Sequence, residues 1–251
     1  VTLQEKKLVT DMLLRTGATI EEFNFVRKHI SMVKGGHLAA MAYPATTISL
    51  ILSDVINDPL DVIASGPTVA DPSTFGDALS ILQKYHLNGK VPVSVLSLLK
   101  EGVAGNIPET PKRDSLVLER VKNYIIGNNR HSLDSAALIA KKNGFDVEIL
   151  SYSLSGEARD VAKIFAEKAL SVQRDLNSKS DNRRICLLAG GETTVTVTGG
   201  GKGGRNTEMA LAFAMAIEGK KNILFASAGT DGTDGPTDAA GAVVVVETIS
   251  R

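Results

Sequence analysis

The stretch Gly199-Gly200-Gly201-Lys202-Gly203-Gly204-Arg205-Asn206 sets five glycines and two cations between a short threonine-rich segment and a predicted helix. Glycines let a backbone turn freely and approach a ligand closely, and a helix start presents unpaired N–H groups at the positive end of its dipole. That combination binds anions. Gly200, Gly201, Lys202, Gly203, Gly204 and Asn206 are therefore expected to surround a phosphate. Arg205 adds a planar fork that suits a pair of phosphate oxygens better than a lysine does. A flexible hairpin-like loop is the plainer alternative. Gly199, Gly201 and Gly204 reproduce G-x-G-x-x-G, but a dinucleotide fold also wants an acid at the end of the next strand, and Glu218, near the right distance, falls at a helix end. The Walker pattern fails because Gly203 follows Lys202 and position 196 is threonine.

Two further loops hold candidate groups. Residues 228–238 carry Asp231, Asp234 and Asp238 after an apolar run. Hard carboxylate oxygens suit Mg²⁺, and clustered acids repel one another unless a cation or donors intervene. Asp231 and Asp234 are the expected metal ligands. The order of acids excludes an EF-hand, and simple turn formation is the alternative. Residues 54–74 contain Asp54 at a strand end and the string Ser65-Gly66-Pro67-Thr68, whose two hydroxyls fit a small polar substrate; a crossover held by Asx-turns is the alternative. Glu192, at another strand end, is placed to serve an acceptor hydroxyl or a metal-bound water, or else to cap the turn. His29, His37, His86 and His131 lack metal-ligand spacing and read as surface or helix-end residues, and Cys186 reads as an inert thiol.

The elements that must position these loops follow from periodicity and capping signals. Thr2 with Glu5 and Thr19 with Glu22 open two helices as capping boxes. The apolar run 46–53 reads as a parallel strand buried on both faces. Asp71-Pro72 reads as the start of a helix through Leu79, Leu82 and Tyr85. Residues 102–114 read as a linker. Beyond them strands at 124–127, 147–152 and 185–189 alternate with helices from 132 and 156, which predicts right-handed βαβ crossovers. Residues 194–198 read as a short edge strand. A helix over 206–218 and strands at 223–227 and 242–246 follow. The expected fold is α/β, with a Rossmann-like lobe over residues 1–115 and a second α/β lobe with a mixed, mostly parallel sheet over 116–251.

The 251 residues carry 28 basic and 28 acidic side chains, a balance without the basic field that draws nucleic acid. No apolar stretch is long enough to span a bilayer, and a single cysteine fits a reducing compartment. Neither nucleic acid nor membrane is an expected partner.

Taken together, the strings at 51–72 (ILSDVINDPLDVIASGPTVADP), 187–214 (LLAGGETTVTVTGGGKGGRNTEMALAFA) and 227–242 (SAGTDGTDGPTDAAGA) resemble the two-domain glycerate kinases with a MOFRL C-terminal domain. That resemblance implies ATP-dependent phosphorylation of D-glycerate to 2-phosphoglycerate with Mg²⁺, in a cleft between a Rossmann-like domain and the MOFRL domain. It implies a phosphate-contacting role for Arg205 and acidic site positions at Asp54 and Asp231, and Asp54, Glu192, Arg205 and Asp231 are expected to converge across that cleft. Lys34-Gly35-Gly36 matches a further signature of the family, and Lys34 joins Ser65, Gly66 and Thr68 as an expected substrate contact. Family members carry additional residues at both ends, so the sequence reads as an interior portion. A cytoplasmic location (a mitochondrial one left open) and a possible homodimer complete the expectation. The rival readings are an NAD(P)H-dependent hydroxypyruvate reductase and a non-catalytic nucleotide- or metabolite-binding module.

Overall fold

The structure is a computed structural model that describes residues 1–249. The chain divides into two compact units, Val1–Asn128 and residues 129 onward.

In the first unit, helices α1 (Leu3–Arg15) and α2 (Ile20–His29) start at Thr2 and Thr19 with the expected capping boxes. Short α3 (His37–Ala42) leads to strand β1 (Thr47–Leu52), and α4 (Phe75–Lys84) and α5 (Val93–Val103) follow. Val9, Leu13, Val26, Phe75, Leu82, Val95 and Leu99 from α1, α2, α4 and α5 form one core. The α5 helix, introduced by Pro92, overlaps the start of the region read as a linker. Strand β2 (Val121–Gly127) pairs in parallel with β1, so the segment expected to open the second lobe belongs to the first unit's sheet. One face of β1 is open: Ile48, Leu50 and Leu52 are 61%, 66% and 74% exposed, contrary to burial on both sides. An apolar run marks a strand that can be covered on two faces without specifying what covers them.

Asp71 does not cap α4. Thr74 does, in a reciprocal capping box with Asp77, because the Asp71 carboxylate turns into the protein. There it accepts from Ser73 N and Oγ at 3.1 and 2.7 Å and from Lys28 Nζ at 3.2 Å, all three side chains being buried. His29 ends α2, one of the two placements expected, but its ring is buried, with Nδ1 2.7 Å from the Phe25 carbonyl and Nε2 3.3 Å from Glu109 Oε2.

Glu22 ties α2 to α4. It accepts from Lys84 Nζ at 2.5 Å and from the Tyr85 hydroxyl at 2.7 Å. These bonds, the Lys84 one foremost, bring its carboxyl from the ordinary 4.5 down to about 2. A carboxyl depressed on folding adds stability above its unfolded pKa and loses it as pH falls through the folded one. The loss should therefore fall between pH 4.5 and about 2, and Glu22→Gln should flatten that limb of a denaturant-midpoint profile. Equal acid slopes for both proteins would remove Glu22 from the interlock.

In the second unit, α6 (Asn129–Lys142), β3 (Phe145–Leu154), α7 (Ala158–Ser178) and β4 (Arg184–Gly191) alternate as expected, with β3 and β4 parallel. Helix α8 (Arg205–Ala216) and the antiparallel pair β5 (Leu224–Ala228) and β6 (Gly241–Val245) complete it. Ala158, Ala162 and Ala166 of α7 meet Met209, Ala210 and Phe213 of α8 in the core, and Phe213 stacks on Phe225 with ring centroids 4.1 Å apart. Small residues on α7 let the two helices approach closely. Residues 194–198 do not form an edge strand: Thr194 bridges in parallel to Glu157, and the rest leaves the ladder. Glu157 captures that segment instead, accepting from Thr196 N and Oγ1 at 2.9 and 3.2 Å.

Candidate active site

Helix α8 begins at Arg205, directly after the glycine loop. The N–H groups of its second and third residues are already engaged. Asp234, 2% exposed, accepts at Oδ1 from Asn206 N (2.9 Å) and Asn206 Nδ2 (3.1 Å), and at Oδ2 from Thr207 N (2.8 Å) and Thr207 Oγ1 (2.8 Å). Burial pushes the Asp234 carboxyl up, but these bonds outweigh it and hold it below the ordinary range. With four donors on two oxygens, the carboxylate is saturated as a cap on the positive helix end. The position read as a metal ligand thus anchors the acidic loop to the glycine loop. Gly204 permits the contact, since a Cβ there would lie 2.4 Å from Asp234 Oδ1. Asn206 is likewise turned inward: Ser227 Oγ donates to its Oδ1 at 2.8 Å, so its side chain braces the loop rather than facing a phosphate.

The open part of the site lies around this anchored joint. A Cβ at Gly199, Gly200 or Gly201 would meet nothing within 4 Å, so packing places no demand on these glycines. Lys202 is exposed. Arg205 Nη1 donates to Glu192 Oε1, which joins the first residue of α8 to the end of β4. Asp231 is exposed and accepts from Thr233 N at 3.2 Å and Thr233 Oγ1 at 3.1 Å. These bonds, with a smaller contribution from the Arg205 charge, hold its carboxyl below the ordinary range. Asp231 keeps lone pairs for a hard cation. Among the described residues no group of three or more His, Cys, Asp and Glu side chains is arranged to hold a metal.

The 54–74 loop belongs to the first unit. Asp54 is exposed just beyond β1. Ser65 is buried and donates to Asn24 Oδ1 at 2.9 Å, and buried Thr68 accepts from Ser49 Oγ at 3.0 Å and donates to Asn123 Oδ1 at 2.6 Å. The hydroxyls expected to contact substrate therefore point into the fold, where Asn24, Ser49 and Asn123 satisfy them. Lys34 Nζ donates to the Ala64 carbonyl at 2.8 Å, and burial, with Arg27 nearby, pushes its ammonium pKa down. Gly35 N and Gly36 N donate to the Ser65 and Gly66 carbonyls at 2.9 and 2.8 Å. This pairing braces three consecutive left-handed residues, Ala64 (φ 52°), Ser65 (φ 60°) and Gly66 (φ 61°). Only the glycine adopts that region without strain. Such strain persists when its surroundings over-determine it.

Two family models match the chain: a domain of unknown function (DUF4147) over residues 1–100 and the MOFRL family over residues 185–251. Glycerate kinase from Macaca fascicularis is 39% identical over the whole chain, which covers 72% of that protein. The chain belongs to the glycerate kinase family. D-glycerate 2-kinase from Thermotoga maritima is 45% identical over 97% of the chain, and a crystal structure of glycerate kinase from the same organism superposes with a TM-score of 0.83 at 44% identity. The superposition covers all of this chain and 57% of that one. The chain spans about half the length of such relatives, 55% of the Thermotoga D-glycerate 2-kinase. Within the family's frame, the capping role of Asp234, the Ser227–Asn206 brace and the position of Arg159 on α7 went unread in the sequence. Each depends on partners far along the chain, and only the acid-rich string 231–238 signalled any of them. No helix among the described residues is long and apolar enough to cross a membrane.

Proposed function

We propose that the chain works in an ATP-dependent kinase that phosphorylates D-glycerate to 2-phosphoglycerate. The observation that carries this is the Arg205–Glu192 pair at the start of α8, beside three glycines, 199–201, on which packing makes no demand, and an exposed Asp231. Arg205 offers the remaining donors of its fork to the moving phosphoryl group, and backbone N–H groups of residues 199–203 bind the polyphosphate. Fixed donors of this kind stabilise charge without reorganising during the reaction. Glu192, held by Arg205, orients the acceptor hydroxyl. Asp54 is assigned as a further acidic group on the family resemblance, and Lys34, donating to the Ala64 carbonyl, holds the 63–66 turn in shape.

Asp231 fits a magnesium ligand, because Mg²⁺ commonly takes one or two carboxylates and fills its other positions with water and phosphate. The saturated Asp234 does not. When bound, the ion supplies positive charge to the polyphosphate oxygens. The reductase reading loses its support in the fold: the strand after α8 is β5, which ends at Ser227-Ala228 with no acid to receive a ribose hydroxyl.

The test is a coupled assay of the full-length protein. ADP release and 2-phosphoglycerate formation from ATP, Mg²⁺ and D-glycerate are expected, with EDTA abolishing turnover and no NADH oxidation when hydroxypyruvate is offered. Metal-independent NADH oxidation would decide for a reductase. Nucleotide binding without ADP release would decide for a binding module.

A further inference from the structure

Beside the glycine loop the second unit has a hollow of about 310 Å³. Arg159 of α7, Val195, Val197, the glycine loop and Leu211 of α8 line it. Two apolar side chains there are left largely open, Val197 at 79% and Leu211 at 51% exposure. Arg159 is held in place by its neighbours: Nη2 lies 3.0 Å from Glu208 Oε1 and Nε 3.8 Å from Glu157 Oε1. Its Nε is buried and has no hydrogen-bond partner.

We infer that this hollow receives the purine base of the phosphoryl donor, stacked on the Arg159 guanidinium and covered by Val197 and Leu211. The inference rests on the nucleotide reading above and specifies where the uncharged end of that molecule goes. A phosphate is the wrong occupant for the Arg159 wall, because Glu208 and Glu157 already meet that charge and would repel an anion, whereas Lys202 on the glycine-loop side suits the phosphates. A flat neutral ligand is the right one. The guanidinium plane stacks on π-faces, while valine and leucine offer an apolar surface without requiring polar partners. The glycine loop adjoins the hollow, so one nucleotide can place its base here and its phosphates against the loop. The open apolar surface at Val197 and Leu211 is then covered by the base.

Arg159→Lys keeps the charge and its attraction to Glu208 but removes the stacking plane. Calorimetric titration of the full-length protein with ADP and, separately, with pyrophosphate tests the assignment. Wild type is expected to bind ADP more tightly than pyrophosphate, and Arg159→Lys to weaken ADP about tenfold, the size of one base-stacking contact, while pyrophosphate affinity stays unchanged. Saturation-transfer NMR should show base protons receiving magnetisation from the Val197 and Leu211 methyls. Equal weakening of ADP and pyrophosphate would make Arg159 a phosphate contact and overturn the assignment, as would unchanged ADP affinity. If wild type binds neither ligand, the nucleotide reading itself fails and the inference falls with it. Pyrophosphate bound as tightly as ADP would leave that reading standing and refute the base site alone.

Discussion

Arg205→Lys in the full-length enzyme should lower kcat by about a hundred- to a thousandfold, the usual cost of removing one preorganised donor from developing charge. Arginine presents a planar fork in which one arm can bind Glu192, as Nη1 does here, while the other donors stay aimed at a phosphoryl group. A lysine ammonium is a single point: engaged by Glu192 it cannot also span two phosphate oxygens. The effect should appear in kcat more than in KM for D-glycerate, since the contact strengthens as charge spreads over the transferring group. Steady-state kinetics with ATP and D-glycerate make the measurement, and turnover within a few-fold of wild type would take Arg205 out of the mechanism.

The second large effect concerns Asp234, whose consequence is structural first. Replacing it by asparagine leaves the two backbone N–H groups at the start of α8, and two side-chain donors, facing an amide that can accept with only one oxygen. Loss of the buried charged cap should cost about 3 kcal/mol, summing a helix cap and an unsatisfied buried donor. Thermal melts would then show the second unit's transition lowered by roughly 10 °C. Asp234 is held below the ordinary carboxyl range, so it adds stability above that range and loses it as pH falls through its folded value. The asparagine variant should lack this acid dependence. Asp231→Asn, at an exposed position, should melt within about 0.5 kcal/mol of wild type. Similar melting of wild type and Asp234→Asn would refute the capping role.

The separation between these two acids marks what the amino-acid string determines and what only tertiary structure decides. Capping threonines at 2 and 19, the alternation of strands and helices beyond residue 128, and Arg205 at the mouth of a glycine loop were legible, because they rest on interactions within a few residues of one another. The assignment of Asp71 to the cap of α4 failed because packing turns its carboxylate inward, where it still accepts from Ser73 N but leaves the helix start to Thr74. There the carboxylate reaches Lys28, 43 residues away. Asp231 and Asp234 look alike in sequence, yet one stays exposed and the other closes on α8 from 28 residues downstream. Ser65 and Thr68 read as substrate hydroxyls and are instead consumed by Asn24, Ser49 and Asn123. Residue type sets which bonds a side chain can make. Burying it makes an unmet polar group costly, so its partner is whichever group the folded chain brings within reach, and sequence spacing carries little of that information.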